Sequence, residues 1–198
     1  MRIAIFVDGS NLFYTQRSLG WRVDLHKFIE YFNQVGQVVD AYYYTGLRFP
    51  LSENKQKFLD NLPALGYVAI TKAGKMQANG FKANLDIEIV LDMFNTIDIY
   101  DAAVLVSGDG DFERALSLLR ARGKRFYVVS TARSVAKELL AVCGMHYIDL
   151  MDIKDYVCRK EDAVHIEWPQ QPSAPATGWP DAPNGSYLED FPPEAENM

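Results

Sequence analysis

Cysteine is almost missing from this chain: Cys143 and Cys158 are the only two among 198 residues. Without paired Cys or His spacings of the zinc kind, neither a disulfide framework nor a structural zinc is expected. No apolar run approaches the roughly 20 residues that cross a bilayer, which argues against a membrane role. No charged, then apolar, then small-residue leader opens the chain either, so a cytoplasmic protein is expected. His26, His146 and His165 are scattered without ligand spacing, and no role is assigned to them. Neither a glycine-flanked nucleophile nor a phosphate-cradling lysine loop occurs, so those two catalytic classes have no support.

Positive charge is also in deficit, with a formal net charge of -6. The deficit is local. From Glu161 onward there are eight acidic residues and no Lys or Arg, which leaves 18 acidic against 20 basic residues in positions 1–160. That part carries about +2. Some of its acids belong to a proposed metal cluster, so its remaining surface suits a phosphate-bearing polymer. Beyond about Trp168 the composition turns to Pro, Ala, Ser, Gly and acid. The expected organisation is one domain over residues 1–160 and a disordered, acidic, Pro-rich tail over 161–198. Trp179, Tyr187, Leu188 and Phe191 within that tail offer a docking motif for a protein partner, or simply belong to a flexible end.

Strand-like and helix-like segments alternate through the first 160 residues, the pattern of an α/β domain with helices on both faces of a mostly parallel sheet, a three-layer sandwich. Strands are predicted at Arg2 to Val7, Val38 to Tyr44, Tyr67 to Thr71, Ala103 to Val106, Arg125 to Ser130 and Met145 to Ile148. Helices are predicted at Asn11 to Leu19, Asp24 to Gln34, Ser52 to Ala64, Asn84 to Thr96, Gly110 to Ala121, Ser134 to Val142 and Asp149 to Cys158. Asp24 reads as a helix cap. Tyr42, Tyr43 and Tyr44 read as strand packing for at least two of the three.

Two of these strands end in acid. Ile3-Ala4-Ile5-Phe6-Val7 runs into Asp8-Gly9-Ser10-Asn11, and Ala102-Ala103-Val104-Leu105-Val106 runs into Ser107-Gly108-Asp109-Gly110-Asp111-Phe112. Strands apolar on both faces belong to a covered sheet, whose ligand crevice lies beyond the strands' carboxyl ends. Like carboxylates about 4 Å apart repel by roughly 4 kcal/mol at an effective dielectric near 20, so such a cluster calls for a cation. The expected site is therefore a magnesium-type centre. Asp8 alone reads more readily as a helix cap, and the second acidic turn reverses this toward metal binding. Asp109 is the strongest candidate, while Asp111 is either a second ligand or a helix N-terminal residue stabilised by the macrodipole. Asp86 shares a helical stripe with Ile89, Val90, Met93 and Ile97, where a carboxylate needs a partner. Glu88 and Asp92 read as solvated. Asn11 and Ser107 either hold the Asp8 carboxylate or touch substrate, and Ser10 reads as the helix cap. Lys72, Lys75 and Lys82 around the stretch Ala73 to Phe81, with Arg133 after the fifth strand, read as phosphate contacts or as ordinary solvated loops. Lys82 and Arg133 are preferred, and Phe81 offers a base-stacking ring.

The two quoted turns in this order, with Asp86 on a helix between them, resemble the NYN domain family, close to its LabA-like branch, over about Met1 to Cys158. The resemblance implies a PIN-like fold, a ribonuclease dependent on magnesium or manganese (Mg2+ or Mn2+), and an acidic set of Asp8, Asp86, Asp109 and Asp111 with Asn11 as polar companion. The lysine expected just before the helical acid falls at Lys82, four residues ahead of Asp86. The branch also implies control of gene expression, including circadian output in cyanobacteria. On this reading the protein hydrolyses phosphodiester bonds of single-stranded RNA, with no side-chain nucleophile; a homo-oligomer is compatible with it. One rival is a catalytically silent RNA-binding or regulatory adaptor. A second, a metal-dependent phosphatase, is disfavoured because Asp8-Gly9-Ser10 lacks an acid two residues after Asp8.

Overall fold

The computed structural model describes residues 1–77 and 80–159, with backbone alone at 75–77 and 80–82. The expected tail at 161–198 lies outside the described residues. In chain order the elements are β1 (Arg2–Asp8), α1 (Gly9–Leu19), α2 (Leu25–Asn33), β2 (Gln37–Leu47), α3 (Glu53–Asn61), β3 (Val68–Ala73), β4 (Lys75–Gln77), β5 (Gly80–Lys82), α4 (Asp86–Asn95), β6 (Ala102–Val106), α5 (Glu113–Ala121), β7 (Arg125–Ser130), α6 (Lys137–Cys143), β8 (Tyr147–Asp149) and α7 (Lys154–Val157).

Six strands form one sheet in the order β3-β2-β1-β6-β7-β8, and every neighbouring pair is parallel. The sheet is covered on both faces because its central strands are continuously apolar over Ile3 to Val7 of β1 and Ala102 to Val106 of β6. Ile3, Ile5 and Val7 of β1 join Leu12, Phe28, Phe32 and Val157 in one core, under α1, α2 and α7. Ala4 and Phe6 turn the other way, to Ile89, Met93, Leu116, Leu119 and Leu139 of α4, α5 and α6. This alternation is the period-2 rule of a strand, applied twice because both sides are buried. Each fully buried Ile, Leu or Phe contributes about 1.5–3 kcal/mol. The three-layer α/β fold expected from the sequence is therefore present.

The chain starts at the sheet's centre, winds outward through β2 and β3, then returns to the other side of β1 with β6. The direction of winding reverses between β1 and β6, and in such sheets the strands' carboxyl ends open a crevice at that point. Asp8 closes β1 there, and Ser107 to Asp111 follow β6.

Several local expectations change. The stretch after β3 is not simply a loop, since β4 and β5 pair antiparallel with Lys75 opposite Lys82. Asp8, rather than Ser10, caps α1, its carboxylate accepting from Ser10 N–H and Asn11 N–H. The predicted helix from Ser134 starts only at Lys137. The Ser134 hydroxyl instead shares hydrogen bonds with Thr131 Oγ1 at 2.6 Å and Ser130 Oγ at 3.2 Å, holding residues 131–135 as a turn. The last helix shortens to one turn because Asp149 binds Ala132 N–H and Met151 N–H and so organises a turn of its own. Asp24 does cap α2, and Tyr43 and Tyr44 are both buried.

Candidate metal centre

Asp8 leaves β1 with a carboxylate already in use. Its Oδ1 accepts from Ser10 N–H at 3.1 Å and Asn11 N–H at 3.0 Å, and its Oδ2 accepts from the Ser107 hydroxyl at 3.1 Å. The Ser107 oxygen in turn accepts from Asp109 N–H at 3.2 Å. The Asn11 side-chain oxygen accepts from Gly108 N–H at 3.1 Å. Two turns almost a hundred residues apart are thus laced together, and Asp8 is fixed in orientation by the lacing. Ser107 and Asn11 act here on the protein itself.

Two glycines permit this closeness. A Cβ on Gly9 would stand 2.5 Å from both Tyr43 Cε1 and Tyr44 O, and one on Gly108 would overlap the Ser134 carbonyl oxygen and lie 2.8 Å from Ser130 Oγ. No larger residue fits either place without displacing backbone.

Asp109 caps the short 3-10 turn Gly110–Phe112 through Oδ1, which accepts from Asp111 N–H at 3.0 Å. Asp86 begins α4 and is oriented by Asn84, whose Nδ2 donates to Asp86 Oδ2 at 2.6 Å while its Oδ1 accepts from Asp86 N–H. Asp86, Asp109 and Asp111 converge. Each offers a carboxylate oxygen within 4.8 Å of the others. Asp8 stands outside that trio but beside it, near enough for the Asp86 charge to act on it.

The electrostatics follow from crowding of like charges. Burial pushes the Asp8 carboxyl above its ordinary range, against the pull of the Asn11 and Ser107 hydrogen bonds. Burial also raises Asp86; the Asn84 hydrogen bond opposes this, and the charges of Asp109, Asp111 and Glu88 add to it. The donor set fits a hard divalent cation, since it is carboxylate oxygen throughout.

The basic residues divide. Lys72 is taken up by protein, its Nζ donating to Glu88 Oε1 at 2.6 Å and to the Asn84 carbonyl at 3.1 Å. It therefore braces the segment that presents Asp86. Arg133 is exposed, has no ion pair among the described residues, and adjoins Ser134, whose carbonyl abuts Gly108. The side chains of Lys75, Phe81 and Lys82 lie outside the described residues; only the strand positions of their backbones are known. Glu88 and Asp92 are not simply solvated. Glu88 pairs with Lys72, and Asp92 accepts from the Tyr44 hydroxyl at 2.9 Å.

Sequence reasoning passed over Asn84 and Lys72 as positioning groups. An Asn two residues before a helix-starting Asp is a recognisable Asx-turn signal, whereas nothing local connects Lys72 to Glu88.

The NYN domain family profile matches residues 2–152. The chain is 46% identical over 169 residues to the low amplitude and bright protein LabA of Synechococcus elongatus, an alignment covering 81% of this chain and 89% of that protein. The crystal structure of VPA0982, a protein of unknown function from Vibrio parahaemolyticus, superposes with a TM-score of 0.68 at 24% identity. It covers 79% of this chain and 95% of that one, a likeness of fold. No described helix is long and apolar enough to cross a membrane. The sheet, the crevice at its switch point and the acids gathered there sit within the matched span, and the chain belongs to the NYN domain family.

Proposed function

We propose that the protein is a metal-dependent ribonuclease that hydrolyses phosphodiester bonds of single-stranded RNA, with Mg2+ or Mn2+ held by the acidic crevice. The observation that carries this reading is the convergence of Asp86, Asp109 and Asp111 beside Asp8 at the switch point of the sheet. Membership of a PIN-like nuclease family supports it. A divalent ion bound there supplies an activated water and offsets charge on the leaving oxygen.

The protein's own groups do the positioning. Asp86, Asp109 and Asp111 offer the facing oxygens, and Asp8 completes the negative wall. Ser107 and Asn11 lock the two turns so that these oxygens do not drift apart. Arg133, free of any carboxylate among the described residues, attracts substrate phosphate, and Lys82 is assigned the same task from the sequence. Net charge of about +2 over residues 1–160 is compatible with an anionic polymer. A docking role for the tail belongs to the same proposal.

Asp109→Asn tests it. The variant should keep its circular dichroism spectrum and lose divalent-dependent cleavage of single-stranded RNA by at least a hundredfold. Unchanged cleavage would remove the assignment, and RNA binding without turnover in either ion would select the adaptor.

A further inference from the structure

Lys55 is a half-buried ammonium with no carboxylate paired to it among the described residues. It lies in the first turn of α3, where the Ser52 hydroxyl caps the helix by accepting from Lys55 N–H at 3.3 Å. Its Nζ donates to the Thr45 hydroxyl at 2.6 Å and stands 5.5 Å from the centre of the Phe58 ring. No ion pair reaches it among the described residues. Glu53, the acid of the same turn, is two positions away, and helix positions two apart do not face one another. Burial lowers the Lys55 pKa, with no charge to offset the effect. A cation in a helix's first turn also opposes the macrodipole. Thr45 and Phe58 hold the ammonium by a hydrogen bond and a ring contact, but both are neutral, so its charge is not neutralised among the described residues.

Its location is equally specific. Thr45 directly follows Tyr44, the register partner of Asp8, so sheet geometry sets the Thr45 and Asp8 Cα atoms about 6 Å apart. Beyond the end of β2, Arg48 is exposed without an ion pair among the described residues, and Phe49 leaves 64% of its surface open. Two cations and an exposed aromatic ring therefore lie at and beyond the carboxyl end of β2, on the crevice's side of the sheet, whereas Arg133 follows the carboxyl end of β7.

We infer that the β2–α3 border is a subsite for the backbone of single-stranded RNA. Lys55, seated on Thr45, takes a phosphate neighbouring the scissile one, Arg48 takes another, and Phe49 stacks on a base. Cation and ring together suit a nucleotide chain better than a phosphopeptide, since aromatic stacking adds to phosphate contact only where bases are present. The inference rests on the ribonuclease reading and extends its substrate path to the far flank.

The test is a salt titration of binding between the full-length protein and a fluorescent single-stranded RNA of 12 nucleotides, in chelator so that nothing is cut. Lys55→Gln should bind at least fivefold more weakly near 100 mM salt and lower the slope of log K against log salt by about 0.7, one phosphate contact on a single strand. Lys55→Arg should restore both. Phe49→Ala should weaken binding roughly fivefold or more with the slope unchanged. Wild-type slope in Lys55→Gln would overturn the subsite, even with weaker binding, because loss of a merely structural lysine leaves the count of phosphate contacts intact. If Lys55→Gln fails to fold, Arg48→Gln and Phe49→Ala, both exposed, carry the decision: unchanged binding in the pair overturns the subsite. Wild-type protein that binds no RNA overturns the ribonuclease reading and the subsite together. Absence of turnover with these binding differences intact overturns catalysis alone.

Discussion

Asp86 shows how crowding and burial act on one carboxylate. It starts α4 half-buried, and burial, together with the charges of Asp109, Asp111 and Glu88, raises its pKa above the ordinary value of 3.8 against the opposing pull of the Asn84 hydrogen bond. A raised carboxyl pKa means that ionising the group costs the folded chain stability, a cost that grows as pH rises through the ordinary carboxylate range. A divalent ion reverses that sign. Saturation at a hundred times the dissociation constant should stabilise by about 2.7 kcal/mol, raising Tm by roughly 5–11 °C for a chain of this size. The shift should shrink as pH falls toward the raised pKa values of Asp8 and Asp86, because both must lose their protons to serve the ion. Calorimetric Tm with and without Mn2+ checks this, and Asp86→Asn should abolish the shift at every pH. At this scale the sequence was informative where a residue's neighbours in the chain are also its neighbours in space. Asp109 and Asp111 are visible in one glycine-spaced turn. The Ser107 hydroxyl, which donates to Asp8 and accepts from Asp109 N–H, has a dual task that no local pattern encodes.

The elements matter because they set where those acids stand. α4 is tied to the sheet twice beyond its apolar face: Asp92 accepts from the Tyr44 hydroxyl of β2, and Glu88 pairs with Lys72 of β3. Tyr44→Phe should leave Asp92 without that donor, cost on the order of 1–3 kcal/mol in denaturant unfolding, and weaken the Mn2+-induced Tm shift as α4 loosens. Gly108→Ala should be worse. Its new Cβ meets the Ser134 carbonyl, so the turn after β6 must move away from Asp8; a loss of more than 2 kcal/mol and of divalent response is expected. The strands were legible because Ile3 to Val7 of β1 and all of β6 are apolar, and continuous apolar runs bounded by turns mark a doubly covered sheet. The start of α6 was not, because Ser134 directs its hydroxyl to Ser130 and Thr131 instead of capping a helix, a choice made by the neighbouring turn.

The whole molecule separates charge along its length. Residues 161–198 contribute eight acids and no Lys or Arg, so a chain ending at Lys160 changes from -6 to about +2. Such a chain should bind single-stranded RNA more tightly than the full protein at 50 mM salt, and the difference should fade by 200 mM as screening grows. Fluorescence anisotropy at both concentrations reads it.

The lacing between Asp8 and Ser107 has a consequence in time. One half of the crevice is synthesised first and the other about a hundred residues later, so no early fragment can assemble it. Parallel pairing of β1 with β6 is a distant contact, the kind that forms slowly. On the ribonuclease reading proposed above, a nascent chain has no complete acidic crevice, and so no cleavage, until the second acidic turn has emerged and docked.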